Sequence, residues 1–295
     1  MSNQVDITHL NDADGTFSER FPILFDPEGR LEKAAKVVAV LSDYFGDRTN
    51  QVTAVDIGCS TGIMTRHFAG AFGCVIGLDN DHVGVMHGRR LAEQAGISPR
   101  KLQFLAGDGC HMPLANNAVD AVICNQVYEH VDDQPELMNE IYRILKPGGA
   151  CYFGIGTRHV LVEGHYKLPF LSWVPQSVAH VYMKLAGQNA KYDVRLLSYR
   201  NLKKLAKKFG VVDYTIDVIK HGDRYCDYSR GRLRRFVALW PSWLLRAILP
   251  VIPVHVWALV KPLAVSGAEL LEGRGVRAGE FVYRHVAQPT VRERT

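Results

Sequence analysis

Short apolar runs alternate with longer stretches whose apolar residues recur every three or four positions, and this alternation organises the first half of the chain. Asp26-Pro27 followed by EGRLEKAAKVVAVLSDYF has the cap, the first-turn proline and the period of a helix. Val52–Ile57 then predicts a strand, Ile63–Phe72 a helix, Cys74–Asp79 a strand and His82–Ala95 a helix. Leu102–Ala106 and Val119–Cys124 predict the third and fourth strands. Gln134–Leu145 reads as a helix closed by Lys146-Pro147-Gly148-Gly149, with Ala150–Ile155 as the fifth strand. Short apolar strands separated by helices imply a parallel sheet covered on both faces.

The second half is less regular. Gly156–Leu197 carries aromatics, histidines and prolines without a simple period; Ser198–Phe209 then reads as a helix and Val211–Val218 as a sixth strand. Glu280–Val286 predicts a final strand. Between them, Phe236–Val260 is almost wholly apolar. It has the ~20 residues a membrane span needs, but Pro241, Pro250, Pro253 and Arg246 favour two or three short helices. The expectation is one α/β domain with a doubly wound, seven-stranded, mostly parallel sheet, an antiparallel last strand, and helical insertions after strands five and six. Residues 1–50 would form a helical cap, 51–220 with 280–290 the core, 157–197 a lid and 221–279 a basic and apolar insertion. A length of 295 residues suits such an enlarged single domain.

The candidate chemistry lies at strand ends. In VTAVDIGCSTG a strand carrying Asp56 runs into a glycine-rich turn and then a helix, which brings backbone amides near a ligand. Gly58 and Gly62 let the chain approach a bound molecule closely. The GxGxxG spacing of nicotinamide-binding loops fails, because Ser60 and Ile63 occupy its second and third glycine positions. Asp79 ends the second strand in VIGLDND, where a carboxylate can accept both hydroxyls of a ribose, with Asn80 beside it. Asp108 and Gly109 follow the third strand; the acid can accept from an exocyclic amine and the amide can donate to a ring. Asn125 ends the fourth strand. A single strand-end acid is usually a cap or turn former, but four consecutive strands ending in a fitting residue point to a nucleoside ligand.

DIGCSTG, LDND, AGDGCHMPL, NQVYEHVDD and LKPGG, in that order, resemble the motifs of class I S-adenosylmethionine-dependent methyltransferases. The likeness is greatest to the small-molecule, type 11-like branch that includes quinone, sterol and glycan methyltransferases, and it runs from Gln51 to Phe153. It implies a Rossmann-like fold and S-adenosylmethionine as co-substrate, with no metal. By this resemblance Asp56, Gly58, Ser60 and Gly62 hold the methionine part, Asp79 and Asn80 the ribose, Asp108 and Gly109 the adenine, and Asn125 the methionine side. Ser60 stands where the family commonly has a glycine.

Methyl transfer from a sulfonium is an in-line displacement in which orientation does most of the work. A base is needed only for a hydroxyl or carbon-acid acceptor, and His130, His159 and His165 are the candidates, each with a structural histidine as the alternative. Tyr128 and Glu129, after the fourth strand, and Tyr166, Phe170 and Trp173, in the first insertion, are candidate acceptor-side residues. The alternative for the insertion is an ordinary packed lid.

Charge sharpens the picture of the second insertion. The chain carries an excess of five positive charges. Arg195 to Arg235 alone holds twelve Lys/Arg against four Asp/Glu, so the remainder is slightly acidic. The run RGRLRRF adjoins an apolar block containing Trp240, Trp243 and Trp257, a combination suited to anionic lipid head groups. Arg230–Leu263 is therefore a candidate peripheral membrane contact through which a lipid-linked acceptor enters; a buried hairpin with a solvated basic flank is the alternative. The polar amino terminus lacks the pattern of a secretory signal, and six cysteines fall singly, as expected of reduced thiols. These features suggest a cytoplasmic protein at the inner face of a membrane. A nucleic-acid methyltransferase is a rival reading, disfavoured because NQVYEH replaces the Pro-Pro-aromatic motif of amino methylation and no Pro-Cys context is present. A non-catalytic S-adenosylmethionine-binding module is the second rival.

Overall fold

The computed structural model describes residues 27–162, 166, 168–188, 192, 194–227, 236–263 and 277–283. Helix α1 (Pro27–Phe45) leads into β1 (Thr53–Ile57), α2 (Ile63–Ala71), β2 (Cys74–Asp79), α3 (His82–Gln94), β3 (Leu102–Ala106) and β4 (Val119–Asn125). Helix α4 (Gln134–Ile144) and the long strand β5 (Leu145–Gly156) complete the regular half. Then come α5 (Gln176–Leu185), α6 (Tyr199–Leu205), β6 (Gly210–Asp213), α7 (Thr215–Lys220), α8 (Ser242–Ile248), β7 (Val254–Val260) and β8 (Phe281–Tyr283).

The strands form one sheet in the order β3-β2-β1-β4-β5-β7-β6-β8. Parallel pairing joins β3 through β5, while β7 runs antiparallel between β5 and β6. Each face is buried. On one, Ala34, Val37, Val40 and Leu41 of α1 pack with Phe68 of α2 against Ala54, Ala121, Ile123 and Tyr152. On the other, Leu137, Ile141 and Ile144 of α4 pack with Leu202 and Leu245 against Val55, Val122, Phe153 and Trp257. This is the doubly wound α/β class that the alternating pattern predicts. A third, small cluster joins Leu171, Ala179, Met183, Tyr192 and Val194, all within the segment 157–197 expected to form a lid.

Three details differ from expectation. The described sheet has eight strands, because Val254–Val260 is a strand and not part of a helical block. Its side chains alternate between the two cores: Val256, Ala258 and Val260 pack on the α1 side, Trp257 and Leu259 on the α4 side. With both faces buried, no polar alternation marks such a strand in the sequence. Residues 221–279 therefore supply a core strand as well as helices. The expected sixth strand Val211–Val218 is in fact strand β6 followed by α7: the Asp213 carboxylate accepts the Thr215 amide at 2.8 Å and turns the chain into the helix. The antiparallel strand is the penultimate one, since β8 pairs parallel to β6 at the sheet edge. Residues 284–286 of the predicted final strand lie outside the described residues, as do the first 26 residues of the expected cap.

Candidate functional site

The turn after β1 is built from three left-handed residues, with φ of +71° at Gly58, +47° at Ser60 and +75° at Gly62. Gly62 is required on two grounds. Its φ disfavours any side chain, and a Cβ there would lie 2.7 Å from the Phe104 ring and 2.9 Å from Gly88 Cα. Ser60 has no such latitude and is held in place by its amide, which donates to Asp79 Oδ2 at 2.7 Å. The other oxygen, Oδ1, accepts the Asp81 amide at 2.9 Å. Asp81 in turn caps α3, accepting from Val83 and Gly84 at 3.0 and 3.1 Å. The Gly58 amide donates to the Leu78 carbonyl at 2.8 Å. One carboxylate at the end of β2 thus fixes both the loop after β1 and the start of α3. Burial pushes the Asp79 carboxyl up, opposed by the amides that it accepts.

Asp56 lies beneath the loop, almost fully buried, and accepts the Thr65 hydroxyl at 2.6 Å. Burial lifts its pKa to about 7, the Thr65 hydrogen bond working against the shift. Arg30 of α1 adds a cation whose field reaches both Asp56 and Asp79, while burial lowers its own pKa. Sequence reasoning missed Arg30. The available signal was its position one turn before the buried Ala34 on the same helix stripe.

Asp108, after β3, is largely exposed and is fixed by the Cys110 amide at 2.8 Å and by His111 Nδ1 at 2.9 Å. These hydrogen bonds hold its carboxyl below the usual range. Gly109 is part-buried; a Cβ there would lie 3.2 Å from Ile57 Cγ2 and Leu137 Cδ1. Asn80 is exposed. Asn125 ends β4 with its Oδ1 against Gly154 of β5, where a Cβ would come within 2.1 Å. Because β3, β2, β1 and β4 are neighbours in that order, Asp108, Asp79, the glycine loop and Asn125 stand at adjacent strand ends along one edge.

The residues named for the acceptor side are more dispersed. Tyr128 is buried; its hydroxyl donates to the Gly156 carbonyl at 2.6 Å and accepts the Leu197 amide at 3.3 Å, fastening the end of the lid to β5. Glu129 is buried beside it, and its carbonyl accepts the Arg195 amide at 2.8 Å. His130 closes the same short turn. His159, just past β5, stands edge-to-face against Trp173, and its Nδ1 is buried without a hydrogen-bond partner among the described residues. Phe170 and Trp173 pack edge-to-face yet remain about half exposed, and Tyr166 packs on Tyr192. His165 and the basic residues Arg230, Arg232, Arg234 and Arg235 lie outside the described residues.

A cavity of about 370 Å³ opens beside Asn125 and Gln126, between α1, α7 and the start of β7. Lys33, Lys36, Tyr152, Gly154, Thr215, Val218, Ile219, Asp227 and Ile252–Val256 complete its lining. Neither His130 nor His159, nor any described residue of the lid, lines it.

The sequence profile of the family described as "Methyltransferase domain" matches residues 55–153, the stretch that holds the glycine loop and all four strand ends. Residues 55–153 are thus similar to a methyltransferase domain. Among curated relatives, the sterol 24-C-methyltransferase erg6 of Aspergillus fumigatus is 35% identical over 102 residues, covering 34% of this chain and 26% of that protein. The ubiquinone biosynthesis O-methyltransferase of Actinobacillus pleuropneumoniae is 26% identical over 180 residues, covering 57% of this chain and 75% of the relative. The match thus spans about a quarter of the sterol enzymes and three quarters of the ubiquinone enzyme. Among solved structures, geranyl diphosphate C-methyltransferase from Streptomyces coelicolor A3(2) has a TM-score of 0.50 at 18% identity, covering 85% of this chain and 86% of that one. That likeness is one of fold.

The buried Asp56 carboxyl makes a pH prediction. The unfolded chain releases this proton near the ordinary value of 3.8, whereas the folded chain keeps it until about 7, so raising the pH between those values favours unfolding. Urea midpoints should fall across that window, and Asp56→Asn should flatten the fall; parallel curves for the two chains would contradict the assignment.

Proposed function

We propose that this protein transfers a methyl group from S-adenosylmethionine to an apolar or lipid-linked small molecule. The observation that carries the reading is the placement of Asp108, Asp79, the loop Gly58–Gly62 and Asn125 at four consecutive strand ends. The fit is chemical as well as positional. Gly58 is exposed, so the loop presents bare backbone. Each Asp79 oxygen accepts one amide and retains a lone pair for a ribose hydroxyl. Asp108 is held ionised and outward, as an acceptor for an adenine amine requires. Arg30 adds a cation beside Asp56 and Asp79, suited to the carboxylate end of a zwitterionic methionine.

When bound, S-adenosylmethionine supplies an electrophilic methyl on a good leaving group. The chain then has to bind, orient and exclude water. Asp79 and the loop fix the nucleoside, and Asn125 borders both this site and the adjoining cavity, where the nucleophile would sit. His130 and His159, expected as candidate bases, lie outside the lining of that cavity, so a nucleophile seated there meets neither ring. The sterol and ubiquinone methyltransferases that the chain resembles are named for apolar acceptors, which supports the same substrate class.

Membrane contact through Arg230–Leu263 fits this class. Phe236, Leu239, Trp243 and Val251 are all more than half exposed, a set of large apolar side chains that face solvent. They follow directly on the basic run RGRLRR. Among the described residues no helix is long and apolar enough to cross a membrane.

Calorimetry with S-adenosylmethionine tests the cofactor assignment. The chain should bind it, and Asp79→Asn should weaken binding about tenfold or more. Absence of binding to the unmodified chain would remove the methyl-transfer reading, and equal binding by the variant would remove the site. For the membrane surface, flotation on vesicles containing anionic lipid should fall sharply on the double change Leu239→Ser, Trp243→Ser. Both positions are exposed, so the fold is retained. Unchanged flotation would remove the contact.

A further inference from the structure

Large apolar side chains that face water gather in two places. Among the described residues, seven lie between positions 161 and 185, after β5, and five between 236 and 254, ahead of β7 and at its first residue. Only five others are exposed anywhere else, so the apolar surface is concentrated in the two insertions. Helix α5 shows the pattern most plainly. Val178, Val181 and Leu185 recur at three and four positions and face solvent, while Ala179 and Met183 join the small lid cluster. Leu185 is 83% exposed.

Hydrogen bonds connect the two places. Thr157, the first residue after β5, donates its amide to the Pro253 carbonyl at 2.8 Å and its hydroxyl to the Ile252 carbonyl at 3.2 Å. Val251 and Val254, on either side of that pair, are both exposed. Arg158 then donates to the Trp173 carbonyl at 2.9 Å, and the Trp173 indole donates to the Val160 carbonyl at 2.9 Å. Trp173 packs on Phe170, and α5 begins three residues further on. The exposed apolar groups of the two insertions therefore meet at the carboxyl end of β5. Val254 also lines the cavity beside Asn125, so this face reaches the cavity rim.

Charge separates the occupants that could cover such a face. The described residues from 157 to 188 and from 236 to 254 include Arg158, Lys184 and Arg246 but no Asp or Glu. A second copy of the chain packed on the same patch would set these cations against their own kind. An anionic lipid surface accepts both features, apolar depth and uniformly positive charge.

We propose that segments 157–188 and 236–254 form one membrane-docking face, with the α5 stripe seated in an anionic lipid surface and the cavity rim at Val254 held at its boundary. The proposal rests on the membrane contact argued above for the second insertion and extends it to the first. A lipid-dissolved acceptor then reaches the cavity without crossing water.

The test is flotation of the full chain on vesicles of phosphatidylcholine alone and of phosphatidylcholine with phosphatidylglycerol. The unmodified chain should float with the anionic vesicles, and the double change Val181→Ser, Leu185→Ser should lower its partitioning about tenfold or more, the scale of withdrawing two apolar side chains from lipid. Both positions are exposed, so the melting midpoint should stay unchanged. If it drops, Leu185→Ser alone, at the most exposed position of the stripe, decides the question. Full flotation by the lid variant, with loss by Leu239→Ser, Trp243→Ser, would overturn the proposal and confine the contact to the second insertion. Sedimentation of the unmodified chain as a dimer that the lid variant dissociates would overturn it in favour of a second copy. Equal binding to both kinds of vesicle would overturn the anionic-lipid assignment. Failure of the underlying contact has its own signature, because the unmodified chain would then float on neither vesicle, and this proposal would fall with it.

Discussion

The site depends on one partly buried carboxylate. Asp79 accepts the amides of Ser60 and Asp81, linking a loop that follows β1 to the first turn of α3. Burial favours the protonated form, and the amides that the carboxylate accepts work against that shift. The same pair of bonds answers a conformational problem, since a serine at a φ of +47° needs a local hydrogen bond to hold it there. Once the loop is fixed, Gly62 can close against Phe104 and Gly88, and α2 and α3 can lie against the same strand edge. Loop shape and helix start are thus consequences of one group.

The rest of the molecule divides around that edge. Strands β3, β2, β1 and β4 carry the proposed nucleoside side, while β5, β7, α1 and α7 enclose the cavity next to it. Asn125 belongs to both. The lid is anchored separately, by Tyr128 and by its own small core, and it presents Phe170 and Trp173 outward. The second insertion does two jobs at once. Its strand β7 completes the sheet, and the segment before it exposes Leu239 and Trp243.

Much of this was legible in the sequence wherever the determinants are local. The glycine loop, the strand-end acids and the Lys-Pro-Gly-Gly stop each lie within a few residues of the feature that they encode. Strand β7 was not legible, because VHVWALV is buried on both faces and follows an apolar helix with only the apolar stretch Leu249–Pro253 between. Strand β6 was misread in length because the Asp213 turn interrupts a continuous apolar run. The cavity is invisible to any local pattern: Lys36 and Asp227 meet across 191 positions, and only the packing of α1 beside α7 brings them together. Arg30 was missed for the same reason, since its charge acts on Asp56 and Asp79 through space.

A crystal structure of the full chain with S-adenosylhomocysteine tests the central claim most directly. The ribose hydroxyls should lie within hydrogen-bond distance of the Asp79 carboxylate, with the Ser60 and Asp81 amides still on the same two oxygens and the adenine beside Asp108 and Gly109. A nucleoside bound elsewhere, or an Asp79 turned away from the ribose, would contradict it.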